Sequence, residues 1–192
     1  MMIDLLMNNA VSFYNKRISW LKDVGIDASR FRISHFAFRT KTLADYYQMR
    51  AELENKASAN VENVWNGRPI SKILLTDPIQ LRGNQSVELI ELIPPFHQRV
   101  YPMGLEHIGF IIGEEFAMFK QKNLNVLTGQ QFQSSECNPL YVRFEDYSHA
   151  KFYEKGLREV CEHEGQTFNG IQHCGYESTD LFAGPYSQTG NY

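Results

Sequence analysis

Only three cysteines occur in 192 residues, Cys137, Cys161 and Cys174, an odd number without a C-x-x-C pair. A disulfide framework therefore does not hold this chain together, and a reducing, cytoplasmic setting is expected. No apolar run approaches the roughly 20 residues that span a bilayer. The opening Met1-Met2-Ile3-Asp4-Leu5-Leu6 has no basic stretch ahead of an apolar one, so neither a membrane segment nor an export leader is expected. An excess of one charge is missing too: 19 basic against 22 acidic residues leave a formal net charge of -3. That balance offers nucleic acid or an anionic membrane no global attraction. Absent as well are G-x-x-x-x-G-K-[ST], G-x-G-x-x-G and G-x-S-x-G, so phosphate-loop, dinucleotide-binding and serine-hydrolase chemistries have no support. What is present is 43% hydrophobic residues, enough for a sizeable core and against whole-chain disorder, with 13% aromatics and six histidines.

Ile3, Leu6, Ala10, Phe13, Ile18 and Leu21 recur at helical spacing ahead of Gly25, which predicts an N-terminal helix over 3–24. A strand follows at Arg32–Arg39, its alternation assigning Ser34, Phe36 and Phe38 to one face and Ile33, His35, Ala37 and Arg39 to the other. Thr42 caps a helix that runs to about Asn55, and three strands are expected at about 60–65, 70–75 and 86–93. After a proline-bounded linker from Pro94 to Gly104 the order restarts: a strand at 105–112, a helix at 114–123, and strands at 130–133, 140–144 and 150–154. Each half reads strand, helix, strand, strand, strand, a repeat of element order with little residue identity. The expected fold class is α+β, two βαβββ modules (30–95 and 104–155) forming a curved mixed sheet around a cup, in one domain over 1–164. The Gly-, Ser-, Thr-, Gln- and Asn-rich stretch 165–192 is expected to be an irregular tail.

Both opening strands carry His followed by an apolar, small, Phe triplet: His35-Phe36-Ala37-Phe38 and His107-Ile108-Gly109-Phe110. With Phe36, Phe38, Ile108, Phe110 and Ile112 turned to the helices, alternation sends His35 and His107 into the same cup. A single sheet histidine is more often satisfied by a backbone carbonyl; two at equivalent positions of two modules point to a shared site. Strand 86–93 holds Glu88 and Glu91 at opposite parity, so only one of them can join the pair. Two imidazoles and a carboxylate suit Fe(II), Mn(II), Ni(II) or Zn(II), with positions left for water and substrate. In the last strand Ala150 and Phe152 face the helix, so Lys151 and Tyr153 face the cup. Tyr153 is placed there as a hydrogen-bonding group rather than a strong ligand. Arg39 and Arg143 share the cup-facing parity and are candidate anchors for a small carboxylate or enolate.

Ser34-His35-Phe36-Ala37-Phe38-Arg39, Asn66-Gly67-Arg68-Pro69-Ile70, Glu91-Leu92-Ile93-Pro94-Pro95, Arg99-Val100-Tyr101-Pro102 with Gly104-Leu105-Glu106-His107-Ile108, and Lys151-Phe152-Tyr153 together resemble the bacterial YecM family. That family belongs to the vicinal oxygen chelate, or glyoxalase/bleomycin-resistance/dioxygenase, superfamily. The resemblance runs in order from about Ile33 to Val160. It implies paired βαβββ modules and a divalent-metal site at His35, Glu91 and His107, a Glu-Leu-x-x-Pro motif selecting Glu91 over Glu88. Where the family can place a histidine after Lys-Phe, this chain has Tyr153, which leaves the fourth metal position open.

Two functions follow. In the first, a divalent ion holds vicinal oxygens of a small, oxygen-rich anionic substrate in an isomerase, lyase or dioxygenase. Glu91 or Tyr153 then assists proton transfer while Arg39 and Arg143 hold the substrate. In the second, the cup sequesters a small molecule without chemistry. Superfamily membership does not choose between reactions, because one fold hosts several. Cys161-x-His163 and His173-Cys174 also make a zinc-like ligand set, at a spacing that matches no common finger. His97, His149, His163 and His173 lack an equivalent in the other module and are assigned to the background, Trp65 and Tyr101 to packing, and Cys137 to an inert thiol. Modules of this kind pair between chains as well as within one, so a homodimer is compatible with the reading; no nucleic-acid or membrane partner is expected.

Overall fold

The computed structural model describes residues 1–95 and 103–176. Helix α1 (Ile3–Asp23) buries Ile3, Leu6, Ala10, Phe13 and Leu21 along one stripe. It closes where the glycine signal places its end: Gly25, at φ +89°, lets its N–H reach Lys22 C=O while Ile26 N–H reaches Leu21 C=O, the Schellman pattern. Next come β1 (Arg32–Arg39) and α2 (Leu43–Glu54), then β2 (Ala57–Trp65), β3 (Arg68–Gln80) and β4 (Ser86–Ile93). A capping box opens α2, with Thr42 and Asp45 each bonding the other's backbone. The second module holds β5 (Gly104–Ile111), a 3-10 turn at Gly113–Glu115, α3 (Phe116–Lys122), β6 (Gly129–Gln130), β7 (Leu140–Arg143) and β8 (His149–Tyr153). Helix α4 (Leu157–His163) and β9 (Gly170–Gln172) follow.

The nine strands form one mixed sheet in the order β6-β7-β8-β5-β1-β4-β3-β2-β9. In each module the first and last strands pair in parallel, β1 with β4 and β5 with β8, and the modules join through the antiparallel pair β1–β5. This is the paired βαβββ arrangement expected from the repeat. The face toward α1, α2 and α3 is one apolar core in which Phe36, Phe38, Ile90, Ile108, Phe110 and Phe152 are completely buried. The opposite, concave face forms the cup, walled on one side by α4, whose Leu157 and Cys161 pack on Leu89 of β4.

Several elements differ from expectation. Strict alternation fails in β1: the pairing slips between Ile33 and His35, so Ser34 is the extra residue of a β-bulge. Ile33 therefore joins the apolar core, and Ser34 joins His35 on the concave side instead of Phe36 and Phe38. β3 runs to Gln80, and β6 is a two-residue strand starting at Gly129. Neither α4 nor β9 is expected from sequence. β9 lies within the stretch read as an irregular tail, yet it pairs in parallel with β2, Asn60 opposite Ile171. Its three residues need no apolar alternation, because the edge of β2 supplies the ladder and the next two residues are tied down, His173 Nε2 to Glu54 at 2.7 Å and Cys174 N–H to Glu62 at 3.1 Å. The interior of the proline-bounded linker, with His97 and Tyr101, lies outside the described residues, as does the tail from 177. Among the described residues no helix is long and apolar enough to cross a membrane.

Candidate metal centre

Register assembles the site. Ala37 of β1 pairs with Glu91 on one side and His107 on the other, extending a row of Lys72, Glu91, Ala37, His107, His149 and Arg143 across six strands. In the next row His35 and Lys151 flank Gly109. His35 Nε2 and His107 Nε2 stand 3.2 Å apart, Glu91 Oε2 is 3.2 Å from His107 Nε2, and it is 3.8 Å from His35 Nε2. Atoms bound at ~2.1 Å to a common ion lie about 3 to 3.4 Å from one another, so the spacing fits a small divalent cation. Both rings are buried, and among the described residues these three form the one cluster of His, Cys, Asp or Glu ligand atoms close enough to share an ion. Glu88 is turned away, exposed, 4.0 Å from Arg158.

Each histidine is oriented by the residue just before it. Ser34 Oγ lies 2.8 Å from His35 Nδ1, and Glu106 Oε1 lies 3.2 Å from His107 Nδ1. With both Nε2 atoms offered to an ion, each Nδ1 carries the proton and donates it outward, the support that metal-ligating histidines use. Ser34 and Glu106 reach these positions because each is the extra residue of a bulge, the second falling where β5 slips between His107 and Leu105. Ser34 Oγ also accepts the Leu157 N–H at 2.8 Å, which couples the start of α4 to the site. Glu106 is held by the Arg39 guanidinium, which in addition donates to Pro94 C=O at 3.1 Å. Arg39, expected to anchor substrate, is thus committed at least in part to the protein, although it borders the cup. Arg143 lines the rim, exposed, near the Tyr147 ring.

Burial raises the Glu91 carboxyl, but the His107 hydrogen bond and the electrostatic influence of the neighbouring His107, His35 and Lys151 side chains outweigh it and hold Glu91 well below the usual carboxylate range. Glu106 is held low in the same way by His107 and Arg39 against its burial. Burial pushes His35 down to about 3, with Glu91 opposing and His107 and Lys151 adding to the fall. Both carboxylates are therefore ionised and His35 is neutral near pH 7, the states a cation needs. Tyr153 is buried with its ring edge-on to His35, 5.3 Å between centroids, and packed on Cys137 and Val160. Burial, then the negative charge of Glu91, holds its phenol protonated, so it offers an O–H and no phenolate. Burial pushes the Cys137 thiol up to about 12, in keeping with an inert side chain.

The cup also contains residues that alternation and the repeat together do not point to. Glu106 and Ser34 are hidden by bulges that alternation cannot see. His149, set aside for want of an equivalent, borders the cup beside His107, and burial followed by the charges of His107 and Lys151 pushes it down to about 4. Its parity with Lys151 and Tyr153 was the available signal. The alternative zinc set does not assemble: Cys161 packs on Leu89, His163 meets Glu136, His173 meets Glu54 and Cys174 meets Glu62.

These two depressed histidines imply a pH dependence for metal-free protein. Each ring binds a proton more weakly when folded than at its ordinary value of 6.5, so the unfolded chain takes up protons first as pH falls. Their contribution is fully present above about pH 6.5 and is lost as pH falls, down to about pH 4 for His149 and about pH 3 for His35. In chelator-treated protein the thermal midpoint should fall steadily from about pH 7 to about pH 4.5, and His149→Gln should flatten part of that slope. Identical slopes in both proteins would show that His149 is not buried as a neutral ring.

A family model described as YecM protein matches residues 3–156. No curated protein matches the chain. Among solved structures, the structural-genomics protein EC4020 is similar at a TM-score of 0.65 and 20% identity, over 82% of this chain and 91% of that one. Homoprotocatechuate 2,3-dioxygenase from Arthrobacter globiformis is similar at 0.44 and 14% identity, over 81% of this chain and 45% of that one. A glyoxalase/bleomycin resistance protein/dioxygenase superfamily member from Vibrio splendidus 12B01 is similar at 0.36 and 9% identity, over 64% and 97% respectively. The first of these likenesses shows the fold.

Proposed function

The chain belongs to the YecM family, and from that membership and the buried triad we propose that it holds one divalent ion, Zn, Mn, Ni or Fe, at His35, Glu91 and His107. On this reading it acts on a small, oxygen-rich anionic substrate as an isomerase, lyase or dioxygenase. The observation that carries the proposal is the convergence of three ligand atoms within 3.8 Å with both Nδ1 atoms already occupied. The ion, when bound, supplies Lewis acidity toward substrate oxygens and the adjacent C–H, or toward O₂. Glu91 is the proton carrier nearest the ion, Tyr153 supplies a hydroxyl donor behind His35, and Arg143 with Arg39 draws in the substrate. A cavity of about 570 Å³ suits a small molecule, and its walls hold five Lys and Arg residues against three Glu. That excess of positive charge, in a chain of net charge -3, favours an anion. The three free thiols fit a reducing, cytoplasmic location.

One observation favours the second reading, a binding module without chemistry. Of the cup's carboxylates among the described residues, Glu106 is tied to Arg39, Glu164 to Ser134, and Glu91 to the triad itself, which leaves no spare carboxylate base. Metal content tests the basis of the first reading. Untagged protein should carry about one ion per chain, and an ion at about 100 times its Kd should stabilise the fold by about 2.7 kcal/mol in thermal unfolding. Protein that holds no ion and shows no thermal shift with Mn, Ni, Zn or Fe would remove the proposal.

A further inference from the structure

The stem of Lys151 is buried, the residue being only 9% exposed, while its ammonium opens on the cup, and among the described residues it makes no hydrogen bond or ion pair. The other buried lysine of the cup, Lys72, donates to Asn63. An ammonium on the wall of a largely enclosed cavity is less well hydrated than one in bulk water, and an anion beside it gains accordingly. The Lys151 side chain borders the same cavity as Glu91 and His107, so such an anion would have to arrive from solvent.

The module repeat identifies the seat. His35 corresponds to His107, and two residues further on Ala37 corresponds to Gly109. Ala37 pairs in parallel with Glu91 of β4; Gly109 pairs in parallel with Lys151 of β8. Lys151 is therefore the counterpart of Glu91: where the first module places a ligand carboxylate, the second places an ammonium. No side chain of Gly109 stands between Lys151 and His35.

Resting on the metal reading above, we propose that the fourth seat of the centre lies at Lys151, the counterpart of Glu91, rather than at Tyr153, and that Lys151 turns it into a site for a free carboxylate. A small carboxylate anion then fills the place of a second glutamate, held between the ion at His35, Glu91 and His107 and the Lys151 ammonium. A carboxylate is the group indicated because the seat is the mate of a glutamate and faces a single point donor. An ammonium near a divalent cation repels it, and an anion shared by both removes the repulsion. Metal and carboxylate accordingly bind with positive coupling, each strengthening the other by the same factor.

The test is calorimetric titration of the metal-free full chain with Mn(II) and Zn(II), in acetate and in chloride at equal ionic strength. Wild-type protein should bind the ion at least about fivefold more tightly in acetate. Lys151→Met should unfold at a similar temperature and lose the difference between the two salts. Lys151→Glu, which restores the carboxylate, should bind the ion at least about tenfold more tightly than wild type in chloride, with no further gain from acetate. An acetate effect that survives in Lys151→Met, or weaker binding in Lys151→Glu, overturns the inference. Metal uptake by wild type that ignores the choice of salt also overturns it while sparing the triad; no metal uptake in either salt removes both.

Discussion

His107→Ala is expected to abolish stoichiometric metal binding, lowering affinity by more than about 100-fold, while the protein remains folded. His107 is the member of the triad that meets both others, at 3.2 Å from His35 Nε2 and 3.2 Å from Glu91 Oε2. Its removal leaves His35 and Glu91 3.8 Å apart. Two ligand atoms on a rigid sheet do not hold a divalent ion against water. It also takes the proton donor away from one side of Glu106, whose carboxylate keeps Arg39 as partner. Glu91 loses its His107 hydrogen bond and keeps only His35 at 3.8 Å, so the cost in stability adds an under-partnered, largely buried carboxylate to a lost hydrogen bond and a small cavity, about 3–5 kcal/mol. Glu88→Ala is the matched control, since the same strand turns that carboxylate to solvent and its loss should leave metal content unchanged. Elemental analysis of the three proteins decides the matter; an undiminished ion in His107→Ala would place the centre elsewhere.

That the two histidines meet was readable because they sit in repeated His-apolar-small-Phe segments, and parity then carries both rings to one face. The choice of Glu91 over Glu88 needed more than parity, since the two alternate; the Glu-Leu-x-x-Pro resemblance supplied it, and the pairing of Glu91 with Ala37 gives the physical reason. Hidden from any period-2 reading were Ser34 and Glu106, because a bulge leaves no mark in polarity when the extra residue is itself polar. The groups that orient the histidines thus escaped while the histidines did not. Helix α4 escaped for a different reason: it is seven residues long, and its apolar residues Leu157, Val160 and Cys161 match too few turns to declare a period. Lys151 was assigned to the cup by parity, but its role depends on which residue of β5 it opposes, and register between parallel strands is not written in either strand alone.

Gly109→Ala should destabilise metal-free protein by about 1–3 kcal/mol, and the cost should disappear when His35 is also alanine. A Cβ at Gly109 would lie 2.6 Å from His35 Cε1, 2.8 Å from its Nδ1 and 3.0 Å from Tyr153 Cε2. The backbone there is ordinary strand, so alanine brings no torsional strain, and by restricting the unfolded chain it would by itself stabilise by about 0.4–1 kcal/mol. Sterics outweigh that gain because the ring cannot move aside: His35 is completely buried, held at Nδ1 by Ser34, and backed by Tyr153. In His35→Ala the ring is gone, leaving only the Tyr153 edge to yield by a few tenths of an ångström, so the added methyl becomes neutral or favourable. Urea unfolding of wild type, both single variants and the double variant should then give a coupling of about 2 kcal/mol between facing positions of the adjacent strands β1 and β5. Additive energies would mean that the His35 ring does not fill the space over Gly109. The same crowding would swing His35 Nε2 off the other two ligand atoms, so Gly109→Ala should also weaken metal binding although residue 109 offers no ligand. Glycine in the second of the two repeated triplets is thus the space in which the first histidine stands.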